Sequence, residues 1–434
     1  MIVQSTFMII APIDPDREGD LRKLLATMNR RPGMSDPRNS LIPFYQFSQL
    51  HFARFVILEA NTNDDVRHHG VEPRHWAPTL AFVGDIDGPA DLFLAELVVR
   101  AGEGLRQIFS HCQNFNAQHT NLLDWLHERD VKPNANYINW RGRSVIQIRE
   151  EMALSAALRE QLKNEAGQPG GSDPQAVRRR LKAFVDGEIA NLRLRLTPEP
   201  PTPPGWAIRN FTHLVGVPLV LLAVSPILLI GAPFYAVRLR KLEESDWENT
   251  SRADRDYVRR LADQEDHFVT NQFNIFGLVK PGRFRNYTIR FLLWMLDYTA
   301  RHIYSRGYLT RIRTINFARW VLLDNNSRVY FASNYDGSLD SYMDDFINKV
   351  GWGLNLVFSN GVGYPRTSWL VKGGAKFEGK YKKTLRRNQL PSETWYKAYP
   401  GLNTIEMARN TRIRKGLEAA NPSDREVRDW LSLL

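Results

Sequence analysis

A chain of 434 residues, 43% hydrophobic and 24% charged, has room for two or three domains with ordinary cores and is not a disordered chain. Its formal net charge of +11 predicts attraction to phosphate backbones or anionic lipid headgroups, and the position of the charge decides between them. The single cysteine, Cys112, excludes an intramolecular disulfide and a cysteine-based zinc site, as befits a reducing compartment.

The opening residues lack a basic n-region and run straight into an apolar strand at 6–13, so no cleavable signal peptide is expected. Asp14-Pro15-Asp16 then opens a helix through Leu21, Leu24, Leu25 and Met28. Residues 50–58 (LHFARFVIL) are apolar on both alternating faces, which predicts a strand buried on both sides. Another strand at 79–83 is closed by Asp87-Gly88, and Pro89-Ala90-Asp91 starts a helix that reaches about residue 108. A strand near 137–140 and a helix to about 162 complete this half.

The second half repeats the order. Residues 82–110 (FVGDIDGPADLFLAELVVRAGEGLRQIFS) and 331–359 (FASNYDGSLDSYMDDFINKVGWGLNLVFS) align without a gap, matching Phe82/Phe331, Asp87/Asp336, Gly88/Gly337, Gly102/Gly351, Gly104/Gly353 and Phe109/Phe358. The strand at 315–323 (INFARWVLL) matches the one at 50–58, and YKAYPG at 396–401 matches residues 137–142. Each half therefore reads β-α-β-β-α-β plus one helix, the ferredoxin-like order, within an α+β fold. The doubly apolar central strands predict that the two sheets pack face to face as an intramolecular pseudo-dimer. The division is 1–162 for the first half, 163–270 for an insert and 271–434 for the second half.

The insert has a Gly-rich linker (167–173), a basic helix from Asp173-Pro174, a Pro-rich spacer (197–205) and then residues 211–237, which carry no Asp, Glu, Lys or Arg. That segment is long enough to span a bilayer. A single crossing would separate two halves that share one core. Pro218, Pro226 and Pro233 are expected to break it, and Arg209, Arg238, Arg240 and Lys241 flank it, so a re-entrant or monotopic hairpin on the cytoplasmic face of a membrane is expected. The basic run at 372–387, with Phe377 and Tyr381 interleaved, is assigned to an anionic membrane surface rather than to nucleic acid.

The tandem ferredoxin-like arrangement resembles the dimeric α/β-barrel superfamily, and Gly84-Asp85-Ile86-Asp87-Gly88 is similar to the G-x-x-D-G motif of its dye-decolourising peroxidases. That resemblance implies haem, with the motif aspartate working beside an arginine. Arg54 with Asp87, or Arg319 with Asp336, would then be catalytic, and His111 is an isolated candidate axial ligand. The same residues have a structural reading: Asp-Gly suits a strand-to-helix turn, His111 a helix end, and a mid-strand arginine paired with Asp locks the turn. His68, His69 and His75, beside Asp64 and Asp65 in a loop longer than its repeat counterpart, are candidate metal ligands or a solvated loop. The P-loop, G-x-G-x-x-G, H-E-x-x-H and G-x-S-x-G motifs are absent. Two functions follow: a membrane-associated, haem-dependent oxidative enzyme acting on a hydrophobic or lipid-derived substrate, or a non-catalytic lipid-binding or scaffold protein.

Overall fold

In the computed structural model, which describes residues 3–59, 61–165 and 173–434, the chain is α+β. Of the expected linker only Asp173 lies within the described residues. The first half runs β1 (Gln4–Pro12), α1 (Glu18–Ala26), a hairpin of β2 (Asn29–Arg31) and β3 (Gly33–Ser35), β4 (Leu50–Leu58), β5 (Thr79–Asp87), α2 (Ala90–Phe109), α3 (Leu122–Arg129), β6 (Ala135–Ile138) and α4 (Val145–Glu165). The insert supplies α5 (Pro174–Ala190), α6 (Pro204–Ser245) and α7 (Arg255–Ala262). There follow β7 (Thr270–Leu278), α8 (Arg283–His302), β8 (Ile315–Leu323), β9 (Arg328–Asp336) and α9 (Leu339–Phe358). The short β10 (Thr367–Ser368) and β11 (Lys372–Gly373), α10 (Glu378–Asn388), β12 (Thr394–Lys397), α11 (Thr404–Glu418) and α12 (Asp424–Leu431) complete the chain.

The strands form a six-stranded sheet, β1-β5-β4-β12-β3-β2, and a four-stranded sheet, β6-β8-β9-β7. Every residue of β4, β5, β7, β8 and β9 is buried, because each sheet has helices on one face and the other sheet on the other. Met8, Val56 and Val83 meet Phe276, Val321 and Tyr330 between them. The last strand of each half is exchanged, a feature the sequence did not disclose: β12 pairs with β4, placing Trp395 opposite Arg54, and β6 pairs with β8, placing Asn136 opposite Arg319. Neither sheet is completed by one half alone.

The sequence repeat extends to the backbone. Helices α2 and α9 each have 20 residues and leave helical geometry once, at the equivalent residues Ala101 (φ −132°) and Val350 (φ −139°). Each follows a glycine at positive φ, Gly88 at 85° and Gly337 at 88°, which only glycine adopts without strain. A Cβ on Gly104 would lie 1.9 Å from the Leu41 carbonyl oxygen, because the chain around Leu41, Ile42 and Phe44 covers α2. A Cβ on the equivalent Gly353 would meet nothing within 4 Å.

Helix α5 shares a core with α4, α11 and α12 through Leu154, Leu181, Ile413 and Trp430. Helix α6 departs from expectation, since its 42 residues form one unbroken helix despite Pro218, Pro226 and Pro233. A proline removes the donor for the carbonyl four residues earlier, and two of those carbonyls find substitutes: Tyr298 donates its hydroxyl to Leu214 O (3.0 Å) and Ser225 to Leu222 O (2.7 Å). It is the one helix among the described residues long and apolar enough to cross a membrane; none of its most apolar window is buried.

Gly104→Ala should destabilise the fold by about 2 kcal/mol or more through the clash with Leu41, whereas Gly353→Ala should stabilise it by roughly 0.5–1 kcal/mol. Thermal unfolding of the two variants measures the contrast, and equal effects would refute the difference in packing.

Candidate functional site

Arg54 and Arg319 are both buried, but neither pairs with the aspartate the sequence suggested. Strand register sets Arg54 opposite Val83 and Arg319 opposite Ala332, each four residues and roughly 13 Å of strand from Asp87 or Asp336. Each guanidinium crosses instead to the facing sheet. Arg54 donates to Phe273 O (3.2 Å), Asn274 Oδ1 (2.8 Å), Ser333 O (3.1 Å) and Asn334 Oδ1. Arg319 donates to Phe7 O (2.9 Å), Gly84 O (3.0 Å) and Asp85 Oδ1. Asp85 and Asn334 are equivalent positions, so only Arg319 meets a carboxylate, and burial pushes Arg54 below its usual pKa.

The two motif aspartates hold helix starts. Asp87 accepts from Val145 N (2.8 Å) at the head of α4, and Asp336 from Thr404 N (2.7 Å) and Thr404 Oγ1 (2.8 Å) at the head of α11. The other oxygens differ between the copies. Asp336 takes Asn316 Nδ2 (2.9 Å) and Thr270 Oγ1, whereas Asp87 meets His51 Nε2 (3.0 Å), whose Nδ1 lies 3.1 Å from the Tyr399 hydroxyl. Sequence reasoning missed this buried Tyr399–His51–Asp87 chain, although aligning HFAR with NFAR places His51 against Asn316. Phe52 and Phe317 pack around it.

The histidines are scattered. The His111 Nδ1 bonds the Gln107 and Ile108 carbonyls (3.0 and 3.2 Å) at the end of α2. With Arg54 and Asp87 filled by other partners, these residues do not fit a haem group. His68 stacks on Trp247 with centroids 3.9 Å apart, His69 faces the Lys280–Asp246–Arg285 cluster, and His75 lines a separate pocket with Trp76 and Arg328. No group of three or more His, Cys, Asp or Glu is placed to hold a metal among the described residues. Four of the seven basic residues in the run at 372–387 form ion pairs: Lys380–Glu248 (2.6 Å), Lys382–Glu378 (2.7 Å), Arg386–Glu265 (2.5 Å) and Arg387–Asp65 (3.1 Å).

Among the described residues, the second half carries an exposed apolar face. Helix α8 buries Ile289, Leu292 and Leu293 and turns Tyr287, Phe291, Trp294 and Met295 outward at i, i+4, i+7 and i+8; Phe291 is 52% and Trp294 40% exposed. Its counterpart α1 has only 9 residues. Helix α6 touches α8 near both ends of its uncharged stretch, through Tyr235 with Phe284 and Thr288, and through His213 and Leu214 with His302 and Tyr298. Between them Ile227–Ile230 is open. The base of α6 is fastened by Glu243, which accepts from Thr367 Oγ1 (2.9 Å), Trp369 N (2.8 Å) and Leu370 N (2.8 Å). Just beyond it, Asp246 binds Lys280 (2.7 Å) and Arg285 (2.6 Å).

Beside this face, α8, α9 and the loop before β8 enclose an apolar cavity of about 300 Å³. Comparison with known protein families and with curated proteins finds no match.

Arg319→Met should cost about 3–5 kcal/mol by stranding the buried Asp85, and adding Asp85→Asn should recover part of the loss. Arg54→Met, facing Asn334, should cost less. Denaturant unfolding of the set checks the order.

Proposed function

We propose that the protein is a lipid-binding protein that docks on one face of a membrane, with α6 and the outward stripe of α8 entering the same leaflet. The observation that carries this reading is the attachment of α6 to α8 near both ends of its uncharged stretch. That stretch, residues 211–237, is roughly 40 Å long at 1.5 Å per residue, more than a bilayer core of about 30 Å. A perpendicular crossing would carry one of the two attachment points, and α8 with it, through the membrane. The body of the protein is bound to α8, so both ends of α6 belong on one side, and a continuous monotopic helix replaces the hairpin. Exposed Arg209, Arg238 and Lys241 beside it suit a cytoplasmic leaflet rich in anionic lipid.

For the fold, we propose a single-chain relative of the dimeric α/β barrels, built from two ferredoxin-like halves. The β-α-β-β-α-β order of each half, the reciprocal arginines and the shared inter-sheet core support it. The oxidative reading has less support, because it needs Arg54, Asp87, Arg319 or Asp336 at a substrate, and each is bound to groups that hold the fold.

The purified protein should bind phosphatidylcholine vesicles containing phosphatidylglycerol. Phe291→Glu with Trp294→Glu should reduce binding about tenfold or more, since each charge must enter the apolar layer. Tags placed in the two halves should be accessible from the same side of the membrane. Unchanged vesicle binding by the double variant, or tags on opposite sides, overturns the proposal.

A further inference from the structure

The cavity between α8 and α9 has no counterpart beside Gly104 in the first copy of the repeat. In the first copy the corresponding space beside Gly104 is filled by the chain around Leu41. In the second copy Gly353 lines the cavity, and a side chain there would enter empty space. The replacements along the helix agree. Glu103 and Gln107 of α2 correspond to Trp352 and Leu356 of α9, both of which line the cavity. A polar surface in one copy has become an apolar wall in the other.

The lining is almost wholly aliphatic and aromatic, including Leu292, Met295, Leu296, Phe346, Val350 and Trp352. Met295 belongs to the exposed stripe of α8, and Trp352 is 49% exposed, so the cavity opens on the face assigned to the membrane. Two features mark the ligand as more than a hydrocarbon. The Trp320 indole Nε1 in the wall is buried with no acceptor. Arg311 and Arg313, one and three residues along the chain from lining residue Thr310, are exposed and form no ion pair among the described residues.

We infer that this cavity receives the aliphatic chain of an anionic single-chain lipid, its carboxyl or ester oxygen accepting from Trp320 Nε1 and its charge facing Arg311 and Arg313. A volume of about 300 Å³ is at the small end of ligand pockets and suits one chain rather than a two-chain lipid. Each methylene buried contributes about 0.8 kcal/mol, so a chain withdrawn from the membrane keeps its apolar cover. This inference rests on the lipid-binding reading for its source of ligand, but the cavity can be tested without vesicles.

The probe is decanoate, titrated against the full-length protein and followed by tryptophan fluorescence and calorimetry, with decyltrimethylammonium as the cationic chain of equal length. Saturable decanoate binding, stronger than that of the cation, is expected. Gly353→Leu, which fills the cavity from α9, should weaken it about tenfold or more, since two displaced methylenes suffice for that factor. Its thermal midpoint should be retained. Leu296→Trp fills the cavity from α8 and serves as a second obstruction should the first variant fold poorly. Arg311→Glu with Arg313→Glu should weaken decanoate binding and remove the preference over the cation. Decanoate binding unchanged in both filled variants overturns the inference. Loss of vesicle binding by the wild type with saturable decanoate binding intact overturns only the membrane reading.

Discussion

The fold depends on two arginines that each half lends to the other. A guanidinium between two sheets loses its hydration, and this is tolerable only when nearly every N–H finds an acceptor. Arg54 meets that condition with two backbone carbonyls and two carboxamides of the opposite sheet, and Arg319 with two backbone carbonyls and one carboxylate. Because their partners are main-chain atoms of β1, β5, β7 and β9, the sheets cannot slide without stranding charge. The exchange of β6 and β12 adds a second tie. Two sheets joined in this way behave as one body.

Near-symmetry in the core coexists with asymmetry outside it. The first half has a short α1, a packed loop over Gly104, and Glu103 and Gln107 exposed on α2. The second has a 20-residue α8 with an outward aromatic stripe, an open space at Gly353 and apolar residues where α2 carries Glu103 and Gln107. Alike at the sheet interface, the copies diverge on the outer faces of their helices. The buried His51–Asp87 contact, replaced by Asn316–Asp336 in the other copy, is a smaller divergence confined to the core.

Much of this was legible from residues 50–58 and 315–323, whose doubly apolar pattern announced strands covered on both faces. Period-two alternation gives the face of a strand but neither its register nor the identity of the sheet across from it. The pattern therefore places Arg319 in a strand and points to Asp336, whereas Asp85, two residues from the motif aspartate, is its partner. Composition likewise counts charges without their partners, which is why the run at 372–387 looked free although Glu248, Glu265 and Asp65 come from distant segments to pair with it. The Gly104 and Gly353 difference was invisible because identical residues lie in different surroundings.

The prolines of α6 illustrate the same limit and bear directly on how the helix is used. Read locally, each removes a backbone donor and should end a helix. In the fold, the carbonyl freed by Pro218 accepts from Tyr298 of α8, so the very residue expected to break the helix creates a docking point for its neighbour. Glu243 and Asp246, bound within the body just past the apolar stretch, fix the other end. A helix apolar on every side and held near both ends cannot bury itself by folding back on the protein. Between those two attachments Ile227–Ile230 stay exposed, beside the outward aromatic stripe of α8.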